Sequence, residues 1–230
     1  MHGFYTCLIY IFSSFASMTG FNSDNPLQQK IVLLEEQFQG IHADRRKELQ
    51  ELADIIKNQL IQQDSSKVIF VCTHNSRRSQ LAEIWLRVAV EHYGLTNIES
   101  YSGGTETTAF NPRMVHALKE FGFELEEIQS GENPRYRVEL QKDKGDKNVM
   151  FSKKYNDPYN PQKDFIAVMV CDQADAACPF VPGAFARVSL PYKDPKAFDN
   201  TDLEEFAYDQ KVQEIGCEIL FLCKFLKNLM

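Results

Sequence analysis

The sequence predicts an α/β protein built on a parallel sheet whose two faces are covered by helices. Two short apolar runs, Lys67–Val71 (KVIFV) and Phe165–Val170 (FIAVMV), suit strands buried on both sides. Stretches with helical spacing alternate with them along the chain, which is the pattern of crossover connections in a parallel sheet. With 230 residues, 43% of them hydrophobic, the chain can bury a core without disulfide or metal staples.

Charge and cysteine usage exclude several classes. Lys plus Arg number 25 against 32 Asp plus Glu, giving a net charge of −7, so no nucleic-acid partner is expected. The apolar run from Phe4 to Phe12 falls far short of the roughly 20 residues that span a bilayer, so no membrane partner is expected either. Residues 1–17 read as a tail or artefactual segment ahead of a start at Met18, with a cleaved signal as the alternative. Six cysteines (Cys7, Cys72, Cys171, Cys178, Cys217 and Cys223) are too few and too unevenly placed for a secreted disulfide scaffold. A cytoplasmic location follows, with cysteine used for packing, metal binding or thiol chemistry.

Residues 18–64 form a helical extension: Ser23, Asp24 and Asn25 offer caps, Pro26 suits a first helical position, and Leu27–Phe38 has helical spacing. A second helix is expected over Ala43–Gln62, with Leu49, Leu52, Ile55, Ile56 and Leu60 on one stripe. Such a pair either packs on the core or makes a homodimer. The catalytic domain is expected over 65–230. After strand Lys67–Val71 come a helix over Ser79–His92, a strand over Ile98–Ser102 ended by a Gly103-Gly104 break, and a helix over Pro112–Phe121 stopped by Gly122. An insertion over 132–164 reads as a β-hairpin at the sheet edge, Arg135–Leu140 pairing with Asn148–Ser152 about a turn near Gly145. A weaker strand at Arg187–Leu190 and a long helical region over Leu203–Leu229 complete the chain.

The chemistry concentrates where strand KVIFV runs into Cys72-Thr73-His74-Asn75-Ser76-Arg77-Arg78-Ser79 and then a helix. At the carboxyl end of such a strand, unpaired N–H groups and the helix dipole attract an oxyanion. The same field favours thiolate over thiol, so Cys72 is the candidate nucleophile. Arg78 can fork two hydrogen bonds onto an oxyanion, Ser79 can donate to the thiolate, and Asn75 can tie the loop to itself. No metal site is expected.

The stretch VCTHNSRRSQLAE resembles the signature loop of the low-molecular-weight protein tyrosine phosphatase superfamily, which includes the thioredoxin-coupled arsenate reductases. SGGTETTAFNPRMVHAL, the segment Cys171 to Cys178 and the pair Asp194-Pro195 support the likeness, which runs from Lys67 to the C-terminus apart from the insertion. It implies a three-layer αβα fold with a four-stranded parallel sheet, an oxyanion held by residues Thr73 to Ser79, and Asp194 as general acid, with Asp199 and Asp202 as nearby alternatives.

The resemblance also implies a choice between two reactions. In the reductases three cysteines form a relay. Here Cys72 would attack arsenate, Cys171 would attack the adduct and Cys178 would resolve the resulting disulfide for thioredoxin or a similar thiol reductant. The alternative is a tyrosine phosphatase using Cys72, Arg78 and Asp194 alone; a third reading is a non-catalytic anion-sensing adaptor. Lys196-Ala197 follow Asp-Pro where the phosphatases carry aromatic residues, although Phe198 or Tyr192 could substitute. His74 stands where the family usually has Gly, and Arg77 where the reductases often have Cys. No organic cofactor is implied, but Asn75 and Glu83 match positions that hold a potassium ion in some reductases. Cys217 and Cys223 lie on an apolar helix and read as core.

Overall fold

The computed structural model describes residues 25–140, 148–177 and 180–230. The expected tail and start at Met18, the hairpin turn near Gly145, and Cys178 lie outside the described residues. The elements run α1 (Pro26–Glu36), a 3-10 turn (Gln37–Gly40), α2 (Ala43–Gln63), β1 (Ser66–Cys72), α3 (Arg78–His92), β2 (Ile98–Gly104), α4 (Pro112–Phe121), β3 (Leu125–Gln129), β4 (Arg135–Val138), β5 (Val149–Met150), β6 (Phe165–Met169), α5 (Asp172–Ala177), β7 (Ala184–Ser189), a second 3-10 turn (Pro195–Phe198) and α6 (Glu204–Leu229).

Four strands form a parallel sheet in the order β2-β1-β6-β7, flanked by helices. The central strands β1 and β6 are buried nearly throughout, as their unbroken apolar runs require. Their register pairs Val71 with Met169. Cys72 and Cys171 therefore leave the sheet at the same carboxyl edge, on neighbouring strands. Asn25 caps α1 by accepting from the Leu27 N–H at 2.8 Å, and Pro26 occupies its first turn.

The N-terminal helices are built into the core. Ile31 and Leu34 of α1, with Leu49, Leu52, Ala53 and Ile56 of α2, are buried in the same apolar cluster as the sheet. Both helices pack on α6. Gln59 of α2 is fully buried and ties the helix to β1, accepting from Ser66 Oγ at 2.8 Å and donating to Asp164 O at 2.7 Å. Of the expected α2 stripe, Leu49, Leu52 and Ile56 are buried and Ile55 and Leu60 are half-buried against the core.

Two departures from the expected elements concern the insertion and the edge strand β2. The hairpin of β4 and β5 forms, but β3 joins it to make a separate three-stranded antiparallel sheet in the order β3-β4-β5. Only Leu125 of β3 is buried, so its charged sequence carries no alternating signal. The chain then returns to the edge of the main sheet, where Lys154 bridges Gly104 in parallel. The second departure is that β2 runs through Gly103-Gly104 instead of ending before them. The glycines answer a need for close approach. A Cβ on Gly103 would lie 2.3 Å from the Tyr155 Cα, and one on Gly104 would lie 2.7 Å from Thr73 O.

Trp85 of α3 joins three helices. Its Nε1–H donates to Val212 O of α6 at 3.0 Å, and its ring meets Phe121 and Phe123 edge-on at 5.6 and 5.1 Å. Gly216 of α6 lies against it: an added Cβ would sit 2.5 Å from the indole. Gly216→Ala is therefore expected to destabilise the protein by about 1–3 kcal/mol through overpacking, despite the better helix propensity of alanine. Denaturant unfolding measures this, and an unchanged or raised midpoint would contradict the packing.

Candidate active site

Cys72 is the last residue of β1, and its Sγ lies 3.0 Å from Ser79 Oγ, within hydrogen-bonding reach. Between them the loop turns at Asn75, whose φ of +46° lies in the left-handed region that Asn tolerates better than most residues. His74, at the position where a Gly was expected, does not share that conformation. The Asn75 side chain is fully buried and fully used. Its amide donates to Ser79 Oγ and Ser102 Oγ, both at 2.9 Å, and its Oδ1 accepts from the Lys153 N–H at 2.9 Å.

The surrounding frame takes the loop carbonyls one after another. Thr73 O accepts from the Glu106 N–H at 2.8 Å, His74 O from Ser152 Oγ at 2.8 Å, Asn75 O from Gln80 Nε2 at 2.6 Å and Ser76 O from the Asn111 N–H at 2.9 Å. A trans peptide points its N–H opposite its carbonyl. With the carbonyls turned out to the frame, the N–H groups of His74, Asn75, Ser76 and Arg77 turn into the loop. They continue into the first turn of α3, whose N-terminus no side chain caps. A row of inward N–H donors at an open helix N-terminus is a cradle for an oxyanion.

Arg78 and Asp194 face each other across this cradle. Arg78 is nine-tenths buried, with Nη1 donating to Tyr192 O at 2.8 Å and Nη2 to Asp194 Oδ2 at 2.6 Å. Its Nε is buried and has no hydrogen-bond partner among the described residues. Arg77 donates from Nε to Asp194 Oδ1 at 2.8 Å. Burial pushes the Asp194 carboxyl up, but Arg78, the Lys196 N–H and Arg77 outweigh it and hold it below the usual carboxylate range. The same carboxylate accepts from the Lys196 N–H as the cap of the second 3-10 turn.

Cys171 follows β6 and is buried, its sulfur accepting from the Ala174 N–H at 3.4 Å. Thr73, the neighbour of Cys72, places its Oγ1 3.5 Å from that sulfur. The short helix α5 runs on from Cys171 towards Cys178 and is held to β7, where Asp175 accepts from Arg187 and from Ser189 Oγ. Cys217 and Cys223 are far along α6 and buried; burial pushes both thiols up, that of Cys217 to about 11.

Several residues around the site were not singled out from the sequence. Ser152 and Lys153 come from the insertion, Gln80 and Ser102 from elements beside the loop, and Asn111 from the stretch that carried the resemblance. Tyr192 cannot hold an aromatic substrate as the sequence allowed: it is buried, with Arg45 of α2 stacked 4.5 Å over its ring. Phe198 is the exposed aromatic residue beside Asp194. The potassium expectation does not fit the residues present. Asn75 Oδ1 is taken by the Lys153 N–H, and the Lys153 ammonium stands 4.0 Å from Glu83 Oε2. Among the described residues no group of three or more His, Cys, Asp or Glu side chains could hold a metal ion.

The low molecular weight phosphotyrosine protein phosphatase family model matches residues 67–135, which include the whole cradle. An arsenate reductase of Halalkalibacterium halodurans is 32% identical over 157 residues, covering 67% of this chain and 94% of that protein. An arsenate reductase of Bacillus licheniformis is 29% identical over 150 residues, covering 65% of this chain and 88% of that protein. Among solved structures, a low molecular weight phosphotyrosine phosphatase from Vibrio cholerae covers 70% of this chain and 95% of its own, with 18% identity and a TM-score of 0.46. The chain is an enzyme of the low-molecular-weight protein tyrosine phosphatase superfamily and belongs to its arsenate reductase branch. No helix among the described residues is long and apolar enough to cross a membrane.

The Asp194 ion pairs generate a prediction with a sign. A carboxyl held low in the folded state stabilises the fold above its unfolded value, about 3.9, and that contribution is lost as pH falls through the lower folded value. Asp194→Asn should therefore be less stable than the parent protein at neutral pH, with the gap closing below about pH 4. Denaturant unfolding at several pH values measures the gap; a gap that widens in acid would contradict the assignment.

Proposed function

We propose that this enzyme reduces arsenate to arsenite through Cys72, Cys171 and Cys178, in a cytoplasmic setting that supplies thioredoxin or a similar dithiol reductant. The observation that carries the reading is the position of Cys171 at the carboxyl edge of β6, its sulfur 3.5 Å from the hydroxyl of the residue next to Cys72. Hydrolysis of a phosphate ester needs no second thiol there.

Arsenate enters the cradle of residues Thr73 to Ser79 and takes the Arg78 guanidinium, displacing the Asp194 carboxylate. Freed from Arg78 and set beside a dianion, Asp194 binds a proton more readily and can serve as general acid. The Cys72 thiolate attacks arsenic, a sulfur–arsenic bond forms, and one arsenate oxygen leaves as water with the proton from Asp194. The Cys171 thiolate then attacks Cys72 Sγ. A sulfur–sulfur bond forms as the sulfur–arsenic bond breaks, its electron pair passes to arsenic, and arsenite departs. Cys178 attacks Cys171 Sγ, which releases the Cys72 thiolate and leaves a Cys171–Cys178 disulfide for the external dithiol to reduce.

A coupled assay with arsenate, thioredoxin, thioredoxin reductase and NADPH tests the relay. Turnover should be lost in both Cys171→Ser and Cys178→Ser, while hydrolysis of an aryl phosphate, which requires only Cys72, Arg78 and Asp194, survives in each. Brisk aryl phosphate hydrolysis with no arsenate turnover would make the chain a phosphatase instead.

A further inference from the structure

Two residues of the insertion grip the oxyanion loop. Ser152 Oγ donates to His74 O at 2.8 Å and accepts from the Thr108 N–H at 2.9 Å. The Lys153 N–H donates to Asn75 Oδ1 at 2.9 Å, and its carbonyl accepts from the Gly104 N–H at 2.8 Å. The Lys153 side chain is only 5% exposed, and its ammonium lies 4.0 Å from Glu83 Oε2 and 5.0 Å from the centre of the Phe151 ring. Glu83 itself is 1% exposed, and its other oxygen accepts from Arg87.

A buried carboxylate needs compensating positive charge close by. Arg87 covers one Glu83 oxygen; the second has no hydrogen-bond partner among the described residues and lies 4.0 Å from the Lys153 ammonium. A monovalent cation drawn to Glu83 would have to displace the Lys153 ammonium. We propose that Lys153 is a positioning residue for the oxyanion loop, and that its ammonium carries on the chain the positive charge a free potassium ion would otherwise bring. The insertion then frames the site: it fixes Asn75 from the backbone and balances Glu83 from the side chain. This rests on the loop being the anion site and is indifferent to which reaction follows there.

The test compares the parent protein with Lys153→Met and Lys153→Arg in KCl, NaCl and choline chloride at equal ionic strength. It reads kcat and KM for p-nitrophenyl phosphate, affinity for inorganic phosphate, and Tm. The parent protein and Lys153→Arg should give the same values in all three salts. Lys153→Met should lose roughly 10-fold or more in kcat/KM in choline chloride through loop misplacement. KCl should restore part of that loss and part of the Tm, and NaCl less. Potassium stimulation of the parent protein would overturn the proposal, as would a Lys153→Met variant equally impaired in every salt. Should Lys153→Met fail to fold, the salt comparison on the parent protein and Lys153→Arg still decides. Phosphate affinity and Tm remain readable even if p-nitrophenyl phosphate is not hydrolysed, so failure here is separable from failure of the reductase reading.

Discussion

Asn75 sets the geometry on which the site depends. A loop joining a buried strand to a buried helix has few ways to turn its amides inward, and this one does so with a single residue in the left-handed region. Once Asn75 is buried there, each of its polar side-chain atoms needs a partner, since an unpaired buried amide costs about 1–3 kcal/mol. Ser79, Ser102 and Lys153 supply them. Each comes from a different element: α3, the edge strand β2 and the insertion. The turn, Ser79 beside the Cys72 thiol and the outward carbonyls are therefore fixed as one unit.

The opposite side of the cradle is held by charge. Arg77 and Arg78 both reach Asp194, which occupies the Arg78 guanidinium in the way a substrate oxyanion would. The loop carrying Asp194 is anchored from outside the catalytic domain that the sequence suggested. Arg45 of α2 donates to Pro191 O, stacks on Tyr192 and pairs with Glu218 of α6 at 2.8 Å. Tyr192 in turn accepts from Arg78. The N-terminal helices thereby reach the active site through one side chain, which is a function beyond covering the core.

The parts of the fold that were legible in the sequence share a physical reason: their signals are local. KVIFV and FIAVMV announce buried strands by composition, Gly122 ends α4 in a left-handed conformation, and the polar loop after Cys72 can only be a connection between buried elements. What could not be read depends on partners distant in sequence. Lys153 lies beside Lys154 after the hairpin strand, with no local sign of burial, and its burial is intelligible only once Glu83 and Asn75 are seen beside it. Gly103-Gly104 looked like a break because a close approach of Tyr155 and the Thr73 carbonyl leaves no mark on the local sequence. Tyr192 looked available to a substrate because nothing near it reveals that Arg45 covers its ring.

The Asp194 carboxylate occupies Arg78 on one side of the amide cradle, where an oxyanion would replace it. The most direct measurement is a crystal structure with inorganic phosphate bound. Phosphate should sit within the loop from Thr73 to Ser79, receiving hydrogen bonds from its backbone amides and from Arg78, with the Asp194 carboxylate moved off Arg78. Phosphate bound elsewhere, with the Arg78–Asp194 pair intact, would contradict it.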